Sequence, residues 1–533
     1  MKRRTFIKSG LVGLSAASLL SSCSRISLRR PNILLVMVDD MGFSDIGCYG
    51  GEVQTPTLDK LAARGVRFSQ FYNTARCCPS RASLLTGLHP HQTGIGHMTR
   101  EYGHISDVRK GPYQGWLNKK CVTLAEVLKE AGYHCYMSGK WHVGTDDKST
   151  WPLARGFDRY YGIISGASNF FKPDPVRRLT LDNQPAPEPG EDFYLTDAFT
   201  DYSLKFLDEH HKLHGQDPFF MYLAYTAPHW PLQARKEDVK KYRHQYKLGW
   251  DKLREKRFQK QKELGLFDEK WDLSQRPDNI PAWNDLKDPV KQEELDHLMA
   301  IYSAMIDRVD QNLARIIDRL ESTDSLDNTL ILFLSDNGAC AEGKALGSYD
   351  QHPPGSHTGY GQPAYGDCWA HASNTPFRRY KHYMHEGGIS TPLIVFWPHG
   401  IPPKFNGRIT HQYGYLPDIM ATLTDFGRAV YPRQYNNHEI LPMEGKSLRL
   451  LFKGWETPVH NEPICWEHEH NAAIRHGRWK LVRVNKNNWE LYDMEKDRTE
   501  THDLAQDYPD IVQQLWTAWR KWAQKVGYDP EFH

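Results

Sequence analysis

The chain has 533 residues, of which 39% are hydrophobic, so it is long enough for two domains or for one large domain with an added lobe. Its 67 lysines and arginines nearly balance 65 aspartates and glutamates, which argues against a nucleic-acid-binding protein because such proteins usually carry a basic excess. Aromatic residues make up 12% of the chain, a share that suits stacking on sugar or aryl rings, although packing explains most of them.

The first thirty residues are predicted to be an export signal. MKRRTFIKSG resembles a twin-arginine signal, and the apolar run that follows is too short to span a bilayer. The run ends in LLSSC, which resembles a bacterial lipobox, so residues 1–22 form the predicted signal peptide and Cys23 the lipidation site. The alternative is an ordinary secretory signal with a chance cysteine. We therefore expect an exported, periplasmic or cell-surface lipoprotein that is attached to the membrane only through its lipid.

Nine cysteines are an odd number for an exported protein. Assigning Cys23 to lipid, and one of the neighbouring Cys77 and Cys78 to chemistry, leaves seven whose spacing does not fix a pairing. A disulfide between Cys340 and Cys368, which would close one long loop, is one hypothesis.

From residue 31 onward, apolar runs alternate with amphipathic stretches, a pattern typical of an α/β domain with a buried, mostly parallel sheet. The predicted strands lie in NILLVMVDDMG, YHCYMSGKWHVG, PFFMYLAYTAPHWP, NTLILFLSDNG and ISTPLIVFWPHG. The predicted helices lie in PTLDKLAARG, TLAEVLKEAG and EELDHLMAIYSAMIDRVDQNLARIIDRL. Polar residues follow the first four strands, and a lysine precedes the fifth: Asp39 and Asp40, Lys140 and His142, His229, Asp336 and Asn337, and Lys381. Because ligands in such sheets bind beyond the carboxyl ends of the strands, we expect these residues to converge on one site.

Two of the strand ends offer only oxygen ligands. Asp39, Asp40, Asp336 and Asn337 have the carboxylate and amide oxygens that calcium or magnesium prefers. Three carboxylates brought together would repel one another without a cation between them. The alternative is two unrelated turns, each capping its own backbone.

CCPSRASLLTG, residues 77–87, is predicted to begin a helix at Cys77. Pro79 suits the first helical turn and Gly87 the end of the helix. The free N–H groups at a helix N-terminus favour an anion, and Arg81 adds positive charge. A thiolate would be stabilised there as well, so a cysteine nucleophile and a purely structural thiol both stay open.

The remaining polar residues are of the types that bind an oxyanion and transfer protons. Lys140, Lys381 and Arg81 can neutralise a compact anion, whereas His142 and His229 can move protons near neutral pH. Each of them alone is more often an ordinary solvated side chain.

The stretch at 77–87 resembles the signature of type I sulfatases, Cys-x-Pro-Ser-Arg-x-x-x-Leu-Thr-Gly, without a mismatch. The resemblance extends through VDDMG, GKWHVG, APHWP, LSDNGACAEG and NTPFRRYKHYMHEGG, and on into AIRHGRWKLVR and WELYDMEKDRTETHDLA. The chain is thus identified as a bacterial, exported, arylsulfatase-like member of the formylglycine-dependent sulfatases.

This resemblance implies an alkaline-phosphatase-like α/β fold with a large mixed, mostly parallel sheet. It places the catalytic domain at residues 31–430 and a smaller α+β lobe at 431–533, which ends in the amphipathic DIVQQLWTAWRKWAQKV. Many relatives have an arginine after EGG-Ile, whereas this chain has Ser390, so we expect a different local pocket wall.

The resemblance also assigns the cofactors. Cys77 becomes 3-oxoalanine (formylglycine) through a formylglycine-generating maturation enzyme, and its hydrated aldehyde is the nucleophile, while Cys78 is a bystander. One Ca²⁺ is bound by Asp39, Asp40, Asp336 and Asn337, with residue 77 or a substrate oxygen completing its ligands.

The catalytic roles follow in the same way. Arg81 and Lys140 hold the oxygens of the nucleophile, and His142 takes the proton of its second hydroxyl. His229 and Lys381 bind the sulfate, and one of the two protonates the leaving oxygen.

The expected activity is that of a sulfuric ester hydrolase (EC 3.1.6.-). The expected substrate is a sulfated glycan cleaved in exo fashion rather than a small aryl sulfate. Two segments are predicted to contact the sugar: the insertion at 344–373, rich in Gly, Pro, His and aromatic residues, and CWEHEH at 465–470. The alternatives are a related phosphodiesterase or phosphonate hydrolase, and an inactive glycan-binding lipoprotein.

Overall fold

The computed structural model describes residues 29–99, 110–349 and 363–529. The predicted signal peptide and Cys23 lie outside these residues, as does the middle of the 344–373 segment.

One large mixed sheet forms the centre of the molecule. Its strands are β1 Asn32–Val38, β2 Val66–Tyr72, β3 His134–Gly139, β4 Arg159–Ile163, β5 Leu179–Leu181, β6 Gln184–Pro185, β7 Phe219–Ala224, β8 Thr329–Ser335, β9 Ser390–Phe396, β10 Arg408–Thr410 and β11 Gly414–Tyr415. The order is β10-β2-β9-β8-β1-β7-β3-β4-β5-β6, with β11 beside β2. The five strands from β8 to β4 run parallel, and β9 is antiparallel to both of its neighbours. The predicted mixed, mostly parallel sheet is confirmed.

The strands are apolar throughout because both faces of the sheet are covered. In β1, Leu34 and Val36 belong to the core on one face, whereas Ile33 and Leu35 belong to the core on the other. Leu34 also pairs with Met221 of β7 and Ile331 of β8 in register.

Helices supply both covering layers. They are α1 Pro56–Ala63, α2 Cys77–Thr86, α3 Pro90–Thr93, α4 Leu124–Glu130, α5 Leu195–His214, α6 Lys236–Tyr242, α7 Gly249–Glu263, α8 Pro289–Ser322, α9 Gly366–Ser373, α10 Glu386–Ile389, α11 Pro417–Gly427, α12 Arg449–Phe452 and α13 Pro509–Val526. Apolar residues of α1, α5, α7 and α8 pack on one face, and those of α2, α4, α11 and α12 on the other. The three predicted helices are therefore present as α1, α4 and α8.

The C-terminal part has a sheet of its own. After the two-stranded β12 Gln434–Tyr435 and β13 His438–Glu439 come the antiparallel strands β14 Ile464–His468, β15 Asn471–His476, β16 Trp479–Arg483 and β17 Glu490–Asp493. Leu515, Trp519 and Ala523 form the apolar face of α13 and pack on this sheet. The expected smaller α+β lobe thus has an antiparallel sheet covered by the amphipathic helix.

Two expectations need correction. Cys340 and Cys368 are buried and unpaired, so the suggested disulfide between them is wrong. The end of the 344–373 insertion is not a rim loop, because residues 366–373 form α9, and Trp369 is fully buried and donates its indole N–H to the Leu295 carbonyl (3.0 Å).

Among the described residues, no helix is both long enough and apolar enough to cross a membrane.

Candidate active site

The polar residues at the strand ends meet at one edge of the sheet. They follow β8, β1, β7 and β3, four strands that are neighbours in that order. The chain turns sharply there, with a left-handed backbone at Asp40 (φ 67°) and His142 (φ 55°). The Asp39 amide donates to the Ala227 carbonyl (3.1 Å), and the Asp336 amide donates to the Val38 carbonyl (3.1 Å). These bonds tie the strand ends together.

Cys77 is the first residue of α2. Arg76 is the N-cap, and the helix ends at Gly87, whose φ of 72° favours glycine. The Ser80 hydroxyl accepts from the Thr74 amide (3.0 Å), which fixes the entry into the helix. Cys77 is 2% exposed, and its sulfur lies within 4.8 Å of the Cys78 sulfur and a His142 ring nitrogen. The reactive candidate therefore sits at a buried helix N-terminus beside a histidine.

The other predicted site residues form a buried set of ion pairs, which we call the catalytic cluster. It comprises Asp39, Asp40, Arg81, Lys140, His142, His229, Asp336, Asn337 and Lys381, none more than 6% exposed.

Each cation of the catalytic cluster holds one carboxylate. Arg81 donates twice to Asp336 Oδ2 (2.7 and 3.1 Å). Lys140 Nζ donates to Asp39 Oδ2 (2.5 Å), and Lys381 Nζ donates to Asp40 Oδ1 (2.7 Å). All nine residues are thus brought together in one site.

Several oxygens at the centre of the cluster are left open. Among the described residues, Asp39 Oδ1, Asp40 Oδ2 and Asn337 Oδ1 are buried without a hydrogen-bond partner. The Asn337 amide donates to Asp40 Oδ1 (2.6 Å), which brings its own oxygen beside the carboxylates. Buried polar atoms are nearly always satisfied, and a set of open oxygens is the donor set of a hard cation. The residues present therefore fit a calcium ion.

The two histidines of the catalytic cluster differ in their hydrogen-bond partners. His229 Nδ1 donates to the Trp230 carbonyl (2.5 Å), and its Nε2 lies 3.4 Å from Asp40 Oδ2. Neither ring nitrogen of His142 has a hydrogen-bond partner among the described residues. Burial lowers the pKa of both rings, which keeps His142 neutral at pH 7, whereas at His229 the carboxylates of Asp40 and Asp39 oppose the effect of burial.

The same surroundings favour an anion at residue 77. The neighbouring Cys78 thiol, together with the charge of Lys140, holds the pKa of Cys77 well below its usual range despite burial. Burial instead raises the pKa of Cys78. The two adjacent thiols are therefore chemically unequal.

The segments outside the catalytic cluster are placed differently from expectation. In 465–470, Glu467 faces away and receives a bond from His91 (2.8 Å), whereas Glu469 reaches the edge of the site. Ser390 is 1% exposed and donates to Glu386 (2.9 Å), so its side chain belongs to the contact between the lobes.

Sequence reasoning missed three side chains beside the nucleophile. Arg76 and His382 are the immediate neighbours of Cys77 and Lys381, which was a usable signal. His97 lies twenty residues from Cys77 and carried no signal in the sequence.

Comparison with known proteins decides the family. Residues 31–427 match the Sulfatase family, and residues 378–525 match the family described as N-sulphoglucosamine sulphohydrolase, C-terminal. The chain is a member of the sulfatase family. An uncharacterized sulfatase of Schizosaccharomyces pombe is 33% identical to it over 94% of both chains. An arylsulfatase of Klebsiella aerogenes is 32% identical over 79% of this chain and 92% of its own length.

A solved structure resembles the sulfatase over its whole length. The crystal structure of Ps i-CgsB in complex with k-i-k-neocarrahexaose superposes with a TM-score of 0.69 at 26% identity, covering 94% of both chains. Both lobes of the fold are included in this match.

Proposed function

We propose that this sulfatase hydrolyses sulfate esters on carbohydrates, acting on terminal sugars, with Cys77 as the precursor of formylglycine and one calcium ion beside it. The observation that supports this most is the position of Cys77. It is the first residue of a buried helix, and Lys140 and His142 lie next to it. Family membership supports the sulfuric ester hydrolase activity.

The two implied groups fit the residues present. The open oxygens of Asp39, Asp40 and Asn337, together with the carboxylate of Asp336, would hold a calcium ion, which would supply positive charge to the reacting sulfate. Hydrated formylglycine at position 77 would supply two hydroxyls on one carbon, one to attack sulfur and displace the alcohol, and one whose deprotonation would release sulfate as the aldehyde returns.

The chain's own residues then divide the remaining work. Arg81 and Lys140 are fixed by carboxylates and hold the nucleophile's oxygens in place. His142, which is neutral and has both ring nitrogens open, accepts the proton of the second hydroxyl. His229 and Lys381 bind the sulfate, and one of the two protonates the leaving oxygen. Cations that are already positioned need little reorganisation as charge develops on the sulfate.

The charge balance favours an anionic substrate. Three carboxylates and three cations are present in the catalytic cluster and balance in number, and each carboxylate lies against at least one cation. A bound dication would therefore leave a surplus of two positive charges in a buried site. Such a surplus suits a sulfate monoester together with an ionised nucleophile.

A carbohydrate substrate is favoured over a small aryl sulfate by the structural relative. Its crystal was solved with k-i-k-neocarrahexaose, a hexasaccharide by name, and its likeness covers both lobes of this chain.

The proposed location is that of an exported lipoprotein with lipid on Cys23. All eight cysteines among the described residues are unpaired, which suits folding in a reducing compartment before export. Conversion of Cys77 by the maturation enzyme would then precede export. Replacing Cys23 by alanine should release the protein from the membrane fraction without changing its activity.

The first test is mass spectrometry of the tryptic peptide 77–81 from protein isolated from its own host, combined with sulfate release from sulfated sugars. We expect an aldehyde at residue 77 and sulfate release that the Cys77→Ala variant lacks. An unmodified thiol in active protein would overturn the formylglycine proposal. Faster cleavage of an aryl phosphate diester than of the matched aryl sulfate would indicate the phosphodiesterase alternative. Glycan binding without release would indicate the binding protein.

A further inference from the structure

Five side chains form a second polar group beside the nucleophile, which we call the rim cluster. They are Arg76, His97, His382, His468 and Glu469. They come from three distant parts of the chain: the segment around α2, the segment after Lys381, and the turn between β14 and β15. None of them has a role in the proposed chemistry.

Glu469 lies at the centre of the rim cluster. His382 Nδ1 is 3.2 Å from its Oε2, and His97 Nε2 and His468 Nε2 are each 3.4 Å from its Oε1. Burial opposes ionisation of Glu469, yet the hydrogen bonds of His382 and His468 hold its pKa well below the usual range. Glu469 is therefore a carboxylate at neutral pH.

Arg76 completes the cluster and links it to the reaction centre. Its guanidinium contacts the His382 ring, and its charge acts on both Cys77 and Glu469. A guanidinium against the imidazole opposes a divalent cation at that ring, so the cluster is not a second metal site. It instead offers a fixed cation and a fixed carboxylate side by side.

The rim cluster differs from the catalytic cluster in being open to solvent. The side chains of His97, His382 and Glu469 are 24%, 35% and 30% exposed. Because Arg76 and His382 are the chain neighbours of Cys77 and Lys381, and the charge of Arg76 acts on both Cys77 and Glu469, this open surface borders the place where a sulfate would be held.

The backbone holds two residues of the rim cluster, and one direct neighbour, in unusual conformations. His382 (φ 82°), Glu469 (φ 50°) and the following His470 (φ 65°) are left-handed without being glycine. Such positions cost of order 1–3 kcal/mol each and persist only where the surroundings fix them. The carboxylate and the imidazole are thus presented by a strained but fixed backbone.

We propose that the rim cluster binds two adjacent hydroxyl groups of the sugar ring that carries the sulfate, and so sets the preference for carbohydrate over aryl sulfates. Glu469 accepts from both hydroxyls, Arg76 donates to their oxygens, and His382 holds the Glu469 carboxylate in place. This inference rests on the proposed function. A bound sulfated molecule would cover these groups and exclude water from them, so a substrate without hydroxyl partners would leave them unpaired.

The test compares Glu469→Gln with wild type on two substrates. One is the monosulfated sugar that wild type cleaves fastest in a panel of galactose and N-acetylhexosamine monosulfates, and the other is 4-nitrophenyl sulfate. We expect kcat/KM for the sugar to fall about 10- to 100-fold, since hydrogen bonds to a charged group contribute about that much. The value for 4-nitrophenyl sulfate should stay within about threefold of wild type.

Glu467→Gln is the matched control. Glu467 lies in β14, two residues before Glu469, is buried, and receives a bond from a histidine, but it lies outside the rim cluster. It should leave the ratio of the two kcat/KM values unchanged. His382→Asn, which keeps a residue tolerant of the left-handed backbone, should lower the same ratio and covers the case in which Glu469→Gln does not fold.

A sugar that lacks one of the free hydroxyls gives a second readout. With wild type, kcat/KM for this deoxy sugar should fall to the value that Glu469→Gln shows with the full sugar. Glu469→Gln acting on the deoxy sugar should show little further loss. Equal losses on both substrates in Glu469→Gln, or additive losses with the deoxy sugar, would overturn the inference.

The two proposals fail in different ways. If wild type cleaves 4-nitrophenyl sulfate but no sugar of the panel, the rim cluster inference is wrong while the sulfatase chemistry stands. If wild type releases sulfate from neither substrate, the proposed function fails, and the inference fails with it.

Discussion

Two buried charge clusters in this protein contain similar residue types, but they differ in how completely their carboxylate oxygens are hydrogen-bonded. The first is the catalytic cluster. The second, which we call the interlobe network, consists of Glu386, Lys480, Arg498 and Glu500 and joins the C-terminal sheet to the catalytic domain. All four residues are fully buried.

In the interlobe network both oxygens of the central carboxylate have partners. Glu386 Oε1 accepts from Lys480 (2.8 Å), and its Oε2 accepts from Tyr72, Ser390 and Arg498 (2.9–3.1 Å). In the catalytic cluster, Asp39 and Asp40 each keep one oxygen without a hydrogen-bond partner among the described residues.

The two clusters use buried charge for different purposes, the interlobe network for stability and the catalytic cluster for ligand binding. A carboxylate with both oxygens hydrogen-bonded fixes one arrangement of the lobes, and breaking it leaves an unpaired buried charge. A carboxylate with an open oxygen is incomplete without a ligand. Variants of the first type should therefore change stability, and variants of the second should change function.

Asp39→Asn should have the largest effect, on activity. Asparagine still accepts from Lys140 but removes the charge that a cation needs, so sulfate release should fall by at least about 10³-fold. The free energy of unfolding without metal should fall by less than in Glu386→Gln, because the lost pairing with Lys140 is offset by relief of the repulsion between Asp39 and Asp336. Steady-state kinetics and urea denaturation measure the two quantities.

Calcium provides the control for that variant. At one hundred times its Kd, calcium should stabilise the wild type by about 2.7 kcal/mol and Asp39→Asn by much less. Full activity in the variant, or equal stabilisation by calcium in both proteins, would show that Asp39 does not belong to a cation site.

Glu386→Gln should have the opposite profile. It leaves Lys480 and Arg498 buried with their partner removed, which typically costs about 3–5 kcal/mol. The kcat of the folded fraction should stay within a few-fold of wild type, since Glu386 contacts none of the catalytic cluster. Glu495→Gln, an exposed carboxylate in the same lobe, is the control and should change the unfolding free energy by less than about 0.5 kcal/mol. A large loss of kcat with unchanged stability would erase the distinction between the clusters.

The residues of the catalytic cluster could be predicted from the sequence, whereas the interlobe network and the rim cluster could not, and the reason is physical. Runs such as NILLVMV mark strands buried on both faces, and a polar pair directly after such a run must lie at the sheet edge. Asp39 and Asp336 were therefore placed correctly from local pattern and strand type alone.

The interlobe network and the rim cluster depend on how distant segments pack. Glu386 and Lys480 are 94 residues apart, and each resembles an ordinary surface charge in its own segment. The same holds for His97 and Glu469, which meet only because the segment after α3 lies beside the turn after β14. Trp369 shows the converse, since its aromatic surroundings suggested a sugar-binding loop but tertiary packing placed it in the core.

The smallest predicted effect is a pH dependence that belongs to the interlobe network. Although burial opposes ionisation, Lys480 and Arg498 lower the pKa of Glu386 from its ordinary 4.5 to about 2. A lowered carboxyl pKa adds stability that is complete above the ordinary value and is lost as the pH falls from about 4.5 to about 2. Wild type and Glu386→Gln should therefore differ most above pH 5, and the difference should shrink as the medium is acidified towards pH 3.

Urea denaturation of both proteins between pH 6 and pH 3 measures that difference, because the carboxyl groups outside the interlobe network have the same surroundings in the two proteins. A difference that stays constant over this range would mean that the charge of Glu386 contributes nothing to the junction. Its hydrogen bonds alone would then hold the lobes together, and the contrast with the open carboxylates of the catalytic cluster would be one of bonding geometry rather than of charge.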